Sequence, residues 1–272
     1  MRTLAAALLL PALALSAGER TETKTEALKA GSVLQVKSAN GAIRVSTWDK
    51  EEVEIRADIK ERTDNSVKLE IRRTGNGLEV EAILPNHSGW NWGGSDAVNF
   101  TLRVPKRLEG HYRTSNGRVE VRDTVGSLEV TTSNGSLMIE NVKGDVNART
   151  SNGAVTLRAI DGRVKGGSSN GSLTLDGVKG GVDFCTSNAS ITATDLDGRN
   201  QGIDLTTSNG SIHLGLGSAT GEIDAKTSNG SVHVDRPGVE LVEMGKSWAR
   251  LRVPGSTQAI RLRSSNGSIH LR

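Results

Sequence analysis

A Ser-Asn-Gly triplet that recurs at a nearly constant interval is the feature that most constrains the fold of this 272-residue chain. The triplet begins at residues 115, 133, 151, 169, 208, 228 and 265, and Ser187-Asn188-Ala189 is an altered copy. From 115 to 187 the starts are 18 residues apart, and the later intervals are longer. A fixed period of this size is typical of repeat proteins, in which each repeat packs against its neighbours.

Each repeat carries apolar residues in two pairs, and the members of a pair are two residues apart. Counted from the serine, positions 5 and 7 hold Val119 and Val121, and positions 14 and 16 hold Leu128 and Val130. This alternation predicts strands rather than helices. One repeat cannot bury its own apolar face, whereas stacked repeats can. We therefore predict an all-β, single-stranded β-solenoid, like a β-helix, with coils of about 18 residues.

The asparagine of the triplet would stack on its equivalents in neighbouring coils. Its amide can both donate and accept a hydrogen bond, so a continuous ladder is predicted. A ligand-binding polar row is the alternative interpretation. We favour the structural ladder, because a solenoid needs repeated turn chemistry. The predicted ladder contains Asn116, Asn134, Asn152, Asn170, Asn188, Asn209, Asn229 and Asn266.

Three regions are predicted along the chain. Residues 1–17 have a basic start, an apolar run and small residues at the end, which is typical of a secretory signal peptide. Residues 18–105 predict irregular strands that form longer coils or a cap, and 106–272 form the regular solenoid. In the widest interval between triplets, Ser247-Trp248-Ala249 is interpreted as a degenerate copy. The last repeat stops at Arg272, so its coil is expected to have an unpaired strand edge.

Composition narrows the classes of function. The single cysteine, Cys185, excludes an internal disulfide and any site built from several cysteines. The net charge is only +3, from 34 basic and 31 acidic residues, which argues against a nucleic-acid-binding protein. No second apolar stretch long enough to span a membrane follows the predicted signal peptide.

The repeats and two N-terminal segments resemble a bacterial family described as "putative adhesin", a domain of unknown function. Besides the Ser-Asn-Gly-Ser-aliphatic pattern, the resemblance rests on Ser38–Val45 with Trp48-Asp49, and on Phe100–Lys106 before the first full repeat. It covers roughly residues 30 to 272. The resemblance implies an exported β-solenoid without known catalytic residues or cofactors.

Two rows of polar side chains are candidate metal-binding or acid–base sites. Position 15 gives acids on what would be consecutive coils, which could bind calcium or form a solvated stripe. These are Asp183, Asp204, Asp224 and Glu243. Position 6 gives His213, His233 and His270, with Arg252 expected between two of them and therefore unfavourable for a metal. The two rows are predicted to lie on opposite faces, which argues against one acid–base site.

Two features are candidates for binding. Trp90 and Trp92 lie in a glycine-rich segment, 86–96, predicted to protrude, where they could stack on sugar rings or cover the end of the core. The C-terminal coils carry basic residues that could bind an anionic glycan, a lipid headgroup or another subunit, or could simply protect an edge strand. These are Arg250, Arg252, Arg261 and Arg263.

The sequence therefore favours an exported, non-enzymatic, adhesin-like module of the periplasm or cell surface, with an envelope glycan or a surface protein as partner. A polysaccharide lyase or hydrolase built on a β-helix is one alternative. A scaffold that associates through its end coils is another.

Overall fold

The fold is a two-sheet β-solenoid in the computed structural model, which describes residues 18–61, 66–85, 96–199 and 201–272. The described strands form a 12-stranded sheet, here called sheet A, and a 13-stranded sheet, here called sheet B. No helix among the described residues is long and apolar enough to cross a membrane. The predicted signal peptide and the segment with Trp90 and Trp92 lie outside the described residues.

Sheet A contains β1 (Glu19–Ala27), β3 (Ile43–Trp48), β4 (Glu52–Lys60), β7 (Ala97–Pro105), β9 (Val119–Arg122), β11 (Leu137–Lys143), β13 (Val155–Asp161), β15 (Leu173–Val178), β17 (Ile191–Thr194), β19 (Ile212–Leu214), β21 (Val232–Val234) and β25 (Ile269–Leu271). Sheet B contains β2 (Val33–Lys37), β5 (Lys68–Thr74), β6 (Gly77–Ile83), β8 (Glu109–Arg113), β10 (Leu128–Thr131), β12 (Val146–Thr150), β14 (Val164–Ser168), β16 (Val182–Thr186), β18 (Ile203–Thr207), β20 (Gly221–Thr227), β22 (Glu240–Met244), β23 (Trp248–Val253) and β24 (Ala259–Ser264).

The central coils stack in parallel with equivalent residues in register, which confirms the predicted solenoid. In sheet A, Leu137 lies beside Val119 on one side and Val155 on the other, each 18 residues away. Sheet B shows the same 18-residue register, for example between Val146 and Val164. Since both strands of a coil keep this offset, every coil stacks on the next as a nearly identical layer.

The core is the narrow space between the two inner faces. The apolar side chains at positions 5, 7, 14 and 16 are buried in the coils between residues 115 and 214, as predicted, whereas Val234 at position 7 of a later coil is only partly buried. A third buried row at position 10 includes Val142, Ile160 and Val178. The chain reaches this row through a left-handed corner at position 9, where Asn141 has a φ of 56°. The core is thus lined by aliphatic rows from three sides of each coil.

The asparagine ladder is confirmed. Each amide Nδ2 donates to the Oδ1 of the asparagine in the preceding layer of the stack over 2.6–2.8 Å, and Asn116 is the first acceptor. A second ladder, made by buried hydroxyl groups at position 18, was not predicted. Thr132 Oγ1 donates to the carbonyl of Gly117 over 3.1 Å and accepts from the amide of Gly135 over 3.2 Å. These bonds satisfy buried backbone groups at the corner.

The order of the coils differs from the order of the chain at both ends. The coil formed by β2 and β3 lies between β6 and β7 on one side and β8 and β9 on the other. Likewise β24 and β25, at the C-terminus, lie between β18 and β19 on one side and β20 and β21 on the other. The prediction of strictly sequential stacking, with the last coil at an unpaired edge, is therefore wrong.

The predicted degenerate repeat at 247–249 is also wrong. Strands β22 and β23 form an antiparallel hairpin that extends sheet B beyond β20. Val242 and Met244, assigned to the core by the repeat, are 61% and 46% exposed, whereas Leu251 and Val253 are buried as expected. The insertion of the last coil displaces this hairpin outward, so the same apolar pattern occupies an edge.

Antiparallel strands occur at both ends of the solenoid. At the N-terminal end β4 pairs with β7, β1 pairs with β4, and β5 pairs with β6. At the C-terminal end only sheet B is extended, by β23 and then β22. Sheet B therefore ends in β5 and β22, and sheet A ends in β1 and β21.

The glycine of the triplet should be intolerant of any side chain. A Cβ added at Gly153 would lie 1.8 Å from the carbonyl oxygen of Gly135, because the backbones of stacked coils nearly touch at this corner. We expect Gly153→Ala to lower the free energy of unfolding by about 1–3 kcal/mol or more. Gly75→Ala, where a Cβ meets nothing within 4 Å, is the control. Equal stabilities of the two variants in urea unfolding would contradict the close approach.

Because the C-terminal coil is inserted into the stack, truncating a side chain in β24 should destabilise the protein more than truncating one in the displaced β22. Leu262 is completely buried in β24, so Leu262→Ala should cost about 2–5 kcal/mol. Met244→Ala, in the displaced hairpin, should change the free energy of unfolding by no more than about 0.5 kcal/mol. Sequential stacking would bury Met244 as well as Leu262, so a loss in Met244→Ala as large as that in Leu262→Ala would refute the observed order.

Candidate binding groove

The predicted basic residues meet on the outer face of sheet B near its C-terminal end. Strands β20, β23 and β24 form a groove of about 500 Å³ there, lined by Arg250, Arg252 and Arg261 together with Glu222 and Asp224. Arg263 lies on β24 beside the groove. The arginines come together because β24 is inserted beside β20, and β23 pairs with the other edge of β20.

The charges in this region alternate, contrary to the predicted basic end. Arg261 lies between Asp204 on β18 and Asp224 on β20. Arg263 forms an ion pair with Asp224 at 2.7 Å, and Arg250 lies 3.8 Å from Glu243. Two of the four arginines are therefore paired with acids. This pairing follows from the coil order, which alternates segments of opposite charge.

Arg252 and Arg261 are different from the other two. Both are exposed, and neither forms an ion pair or a side-chain hydrogen bond within the described part of the chain. They lie on strands separated by β20, with Arg252 opposite Glu222 and Arg261 beside Asp224. The groove thus offers two unpaired guanidinium groups next to two carboxylates. Guanidinium groups bind carboxylate, sulfate and phosphate oxygens.

The predicted row of four acids on consecutive coils does not form. Asp183 and Asp204 are neighbours, but Arg261 separates Asp204 from Asp224, and Arg250 lies between Asp224 and Glu243. Within the described ranges, no group of three or more His, Cys, Asp and Glu side chains is arranged to hold a metal ion. Arg261 and Arg250 thus separate acids that the predicted row would have placed side by side, whereas Asp183 and Asp204 remain neighbours.

The histidines form a continuous stack on the outer face of sheet A. His270 lies between His213 and His233, with centroid distances of 4.9 Å to each and interplanar angles of 12° and 5°. The expectation that Arg252 separates two of them is wrong, because Arg252 lies on β23 in sheet B. The groove and the histidine stack occupy different sheets, as predicted, so they do not form one acid–base site.

The remaining residues are Cys185 and the two tryptophans, Trp90 and Trp92. Cys185 is exposed, and its Sγ lies 3.8 Å from the carbonyl oxygen of Gly166. Trp90 and Trp92 lie outside the described residues, so their role in binding stays a prediction. Sequence spacing alone missed the groove, because it forms from strands that are not consecutive in the chain.

Burial lowers the pKa of His270 below its usual range, and the neighbouring His213 and His233 lower it further. The folded protein therefore resists protonation of His270 more than the unfolded chain does, so stability should fall as the pH drops through about 6.5. We expect the melting temperature to decline between about pH 7.5 and about pH 5.5, and to decline less in His270→Asn.

The control for this prediction is His111→Asn. His111 lies 3.2 Å from each of two carboxylates, those of Glu109 and Glu129, rather than beside other imidazoles. The control should keep the decline of the parent protein. An unchanged decline in His270→Asn would show that the stack is not its source.

Comparison with known proteins agrees with the fold. Two crystal structures, each described as a "putative adhesin", superpose on 93% of this chain. The protein from Bacteroides fragilis is 14% identical, with 97% of its chain covered and a TM-score of 0.51. The protein from Parabacteroides distasonis is 9% identical, with 97% of its chain covered and a TM-score of 0.52.

No curated protein matches the sequence. The Toastrack DUF4097 family, by contrast, matches residues 32–272, which include the N-terminal strands from β2 onward and all the regular coils. The chain therefore belongs to the Toastrack DUF4097 family.

Proposed function

We propose that this protein is an exported, non-enzymatic, adhesin-like β-solenoid that binds an anionic polysaccharide of the cell envelope through the groove on sheet B. The observation that carries the proposal is the pair of unpaired, exposed arginines, Arg252 and Arg261, in that groove. An exposed guanidinium group without an internal partner is free to bind an external anion.

The carboxylates in the groove make a glycan the better ligand than a nucleic acid. Glu222 and Asp224 line the same groove as the arginines. The phosphate groups of a nucleic-acid backbone cannot donate hydrogen bonds to these acids, whereas sugar hydroxyl groups can. Uronic or sulfated sugars carry both an anionic group and hydroxyls. The mixed charge of the groove therefore suits an acidic polysaccharide.

A rigid scaffold supports this role. The side chains of the groove project from strands whose other faces are fully packed, with Ile223, Leu251 and Ile260 buried beneath them. Preorganised side chains lose little conformational freedom when a ligand binds. Trp90 and Trp92 are proposed as a second contact, at which aromatic rings would stack on sugars.

Location and the absence of catalysis belong to the same proposal. The predicted signal peptide at 1–17 and the structural relatives described as "putative adhesin" support export to the periplasm or the cell surface. A lyase or hydrolase needs carboxylates and a base that converge on one face. Here the histidine stack is on sheet A and the acids of the groove are on sheet B, which favours binding over catalysis.

The proposal predicts that polygalacturonate, a carboxylated polysaccharide, binds the protein and that neutral dextran does not. Arg252→Ala/Arg261→Ala should weaken binding about tenfold or more, because each lost charge-assisted hydrogen bond contributes about 1.5–3 kcal/mol. Added salt should weaken binding as well. Isothermal titration calorimetry measures the affinities.

The matched control is Arg113→Ala/Arg149→Ala. These arginines are also exposed on the outer face of sheet B and are likewise separated by one strand, but they lie far from the groove along the stack. The control should bind as the parent does. Equal weakening of binding in both double variants would show that the polysaccharide is attracted by the overall positive charge and not by the groove. The absence of any polyanion binding would refute the proposal.

A further inference from the structure

We infer that the protein associates head to tail with a second copy of itself, through antiparallel pairing of β22 of one copy with β5 of the next. Both are edge strands of sheet B, at opposite ends of the solenoid. The contact would continue sheet B from one molecule into the other. The edge strand β22 adjoins the groove, which Val242 helps to line, but the inference does not depend on the proposed ligand.

Strand β22 is the first half of the contact. All five of its residues are exposed, and Leu241, Val242 and Met244 have 62%, 61% and 46% of their surfaces accessible. Among the described residues, its only strand partner is β23. Edge strands of soluble proteins are usually protected by charge, by proline or by a cover. Strand β22 carries two glutamates and a bulge between Leu241 and Glu243, but its three apolar residues stay exposed, so it can act as a template for pairing with another strand.

Strand β5 is the second half. Its only strand partner within the described ranges is β6, and Leu69 and Ile71 are only partly buried against the core. They lie opposite Ala82 and Val80, both buried, so they project from the inner face of the sheet. Lys68 and Arg72 project from the outer face. The inner face of β5 thus carries Leu69 and Ile71, and also Arg73, which is opposite the buried Leu78 and forms an ion pair with Glu26 of the same molecule.

The faces and directions of the two strands match. Leu241 and Met244 lie opposite the buried Leu251 and Ala249, so they are on the inner face, and the two glutamates of β22 are on the outer face. Strand β22 runs in the direction of the parallel coils, whereas β5 runs against them. Two copies aligned along one axis would therefore pair these edges antiparallel, with apolar residues on one side and charged residues on the other.

Charge selects this pairing over its alternatives. The outer acids of β22 are Glu240 and Glu243, whereas the outer face of β5 carries Lys68 and Arg72 against a single Glu70. Pairing β22 with β22 would place acids against acids across the strands, and pairing β5 with β5 would oppose bases with bases. Only the contact between the two different edges brings opposite charges together.

Sheet A limits the strength of the contact. The inner face of its edge strand β1 carries Arg20, Glu22, Lys24 and Glu26, opposite buried residues of β4. Inward-pointing charges of this kind oppose pairing at an edge. Association through sheet B alone buries a small area, so it should be reversible and concentration-dependent. A heterologous contact that does not close into a ring forms a filament, and a filament would present many grooves at once.

The test is the average mass of the protein in sedimentation experiments at low salt, over about a hundredfold range of concentration, because so small a contact associates weakly. The parent protein should grow from monomer to dimers and longer species as concentration rises. Glu240→Lys/Glu243→Lys and Lys68→Glu/Arg72→Glu should each stay monomeric over the same range, since each makes both edges of one molecule alike in charge. An equimolar mixture of the two variants should associate again, because opposite charges are restored across the contact.

Two outcomes would overturn the inference. A parent protein that stays monomeric shows that β22 does not serve self-association. Association that persists in Lys68→Glu/Arg72→Glu shows that β5 is not the partner strand. Arg72 forms ion pairs within the monomer, so Lys68→Glu alone is the second variant if the double variant unfolds; Lys68 has no ion pair in the described residues.

Discussion

The whole structure depends on how closely successive backbones approach at the Ser-Asn-Gly corner. There the carbonyl oxygen of one coil occupies the place that a Cβ of the next coil would take, as between Gly135 and Gly153. The asparagine amides and the buried hydroxyl groups of position 18 hydrogen-bond on either side of this contact. Because the corner holds each coil at a constant offset, the two apolar pairs of every repeat meet their equivalents, and a narrow aliphatic core becomes continuous.

Both ends of the stack depart from the regular pattern in the same way. A coil from each end of the solenoid is inserted one layer inward, and antiparallel strands extend the sheets beyond it. The insertion at the C-terminal end has two consequences for the surface. It places β24 between β18 and β20, so Arg261 separates Asp204 from Asp224. It also displaces the hairpin of β22 and β23 to the edge, where an apolar strand is left exposed.

The groove and the exposed edge therefore have one origin but offer different interactions. The groove presents charged side chains above a packed strand layer, which suits a polar, anionic ligand. The edge presents backbone groups and apolar side chains, which suit another strand. Since neither requires the other to move, ligand binding and self-association could operate on one molecule, and association would multiply the number of grooves that meet a polymeric ligand.

The sequence by itself determined the solenoid, the 18-residue register, the asparagine ladder and the two opposite polar faces, because each follows from short-range periodicity. Coil order was decided only by the tertiary structure: β20 and β24 carry equivalent apolar positions, and spacing along the chain does not say which of them stacks on β18. Hence three predictions were wrong: the continuous acidic row, the histidines separated by Arg252, and the last coil at an unpaired edge. The stack of three imidazoles and the arginine groove were not predicted. The repeat pattern predicts the structure of each coil, but the energies of long-range strand pairing determine which coils stack on each other.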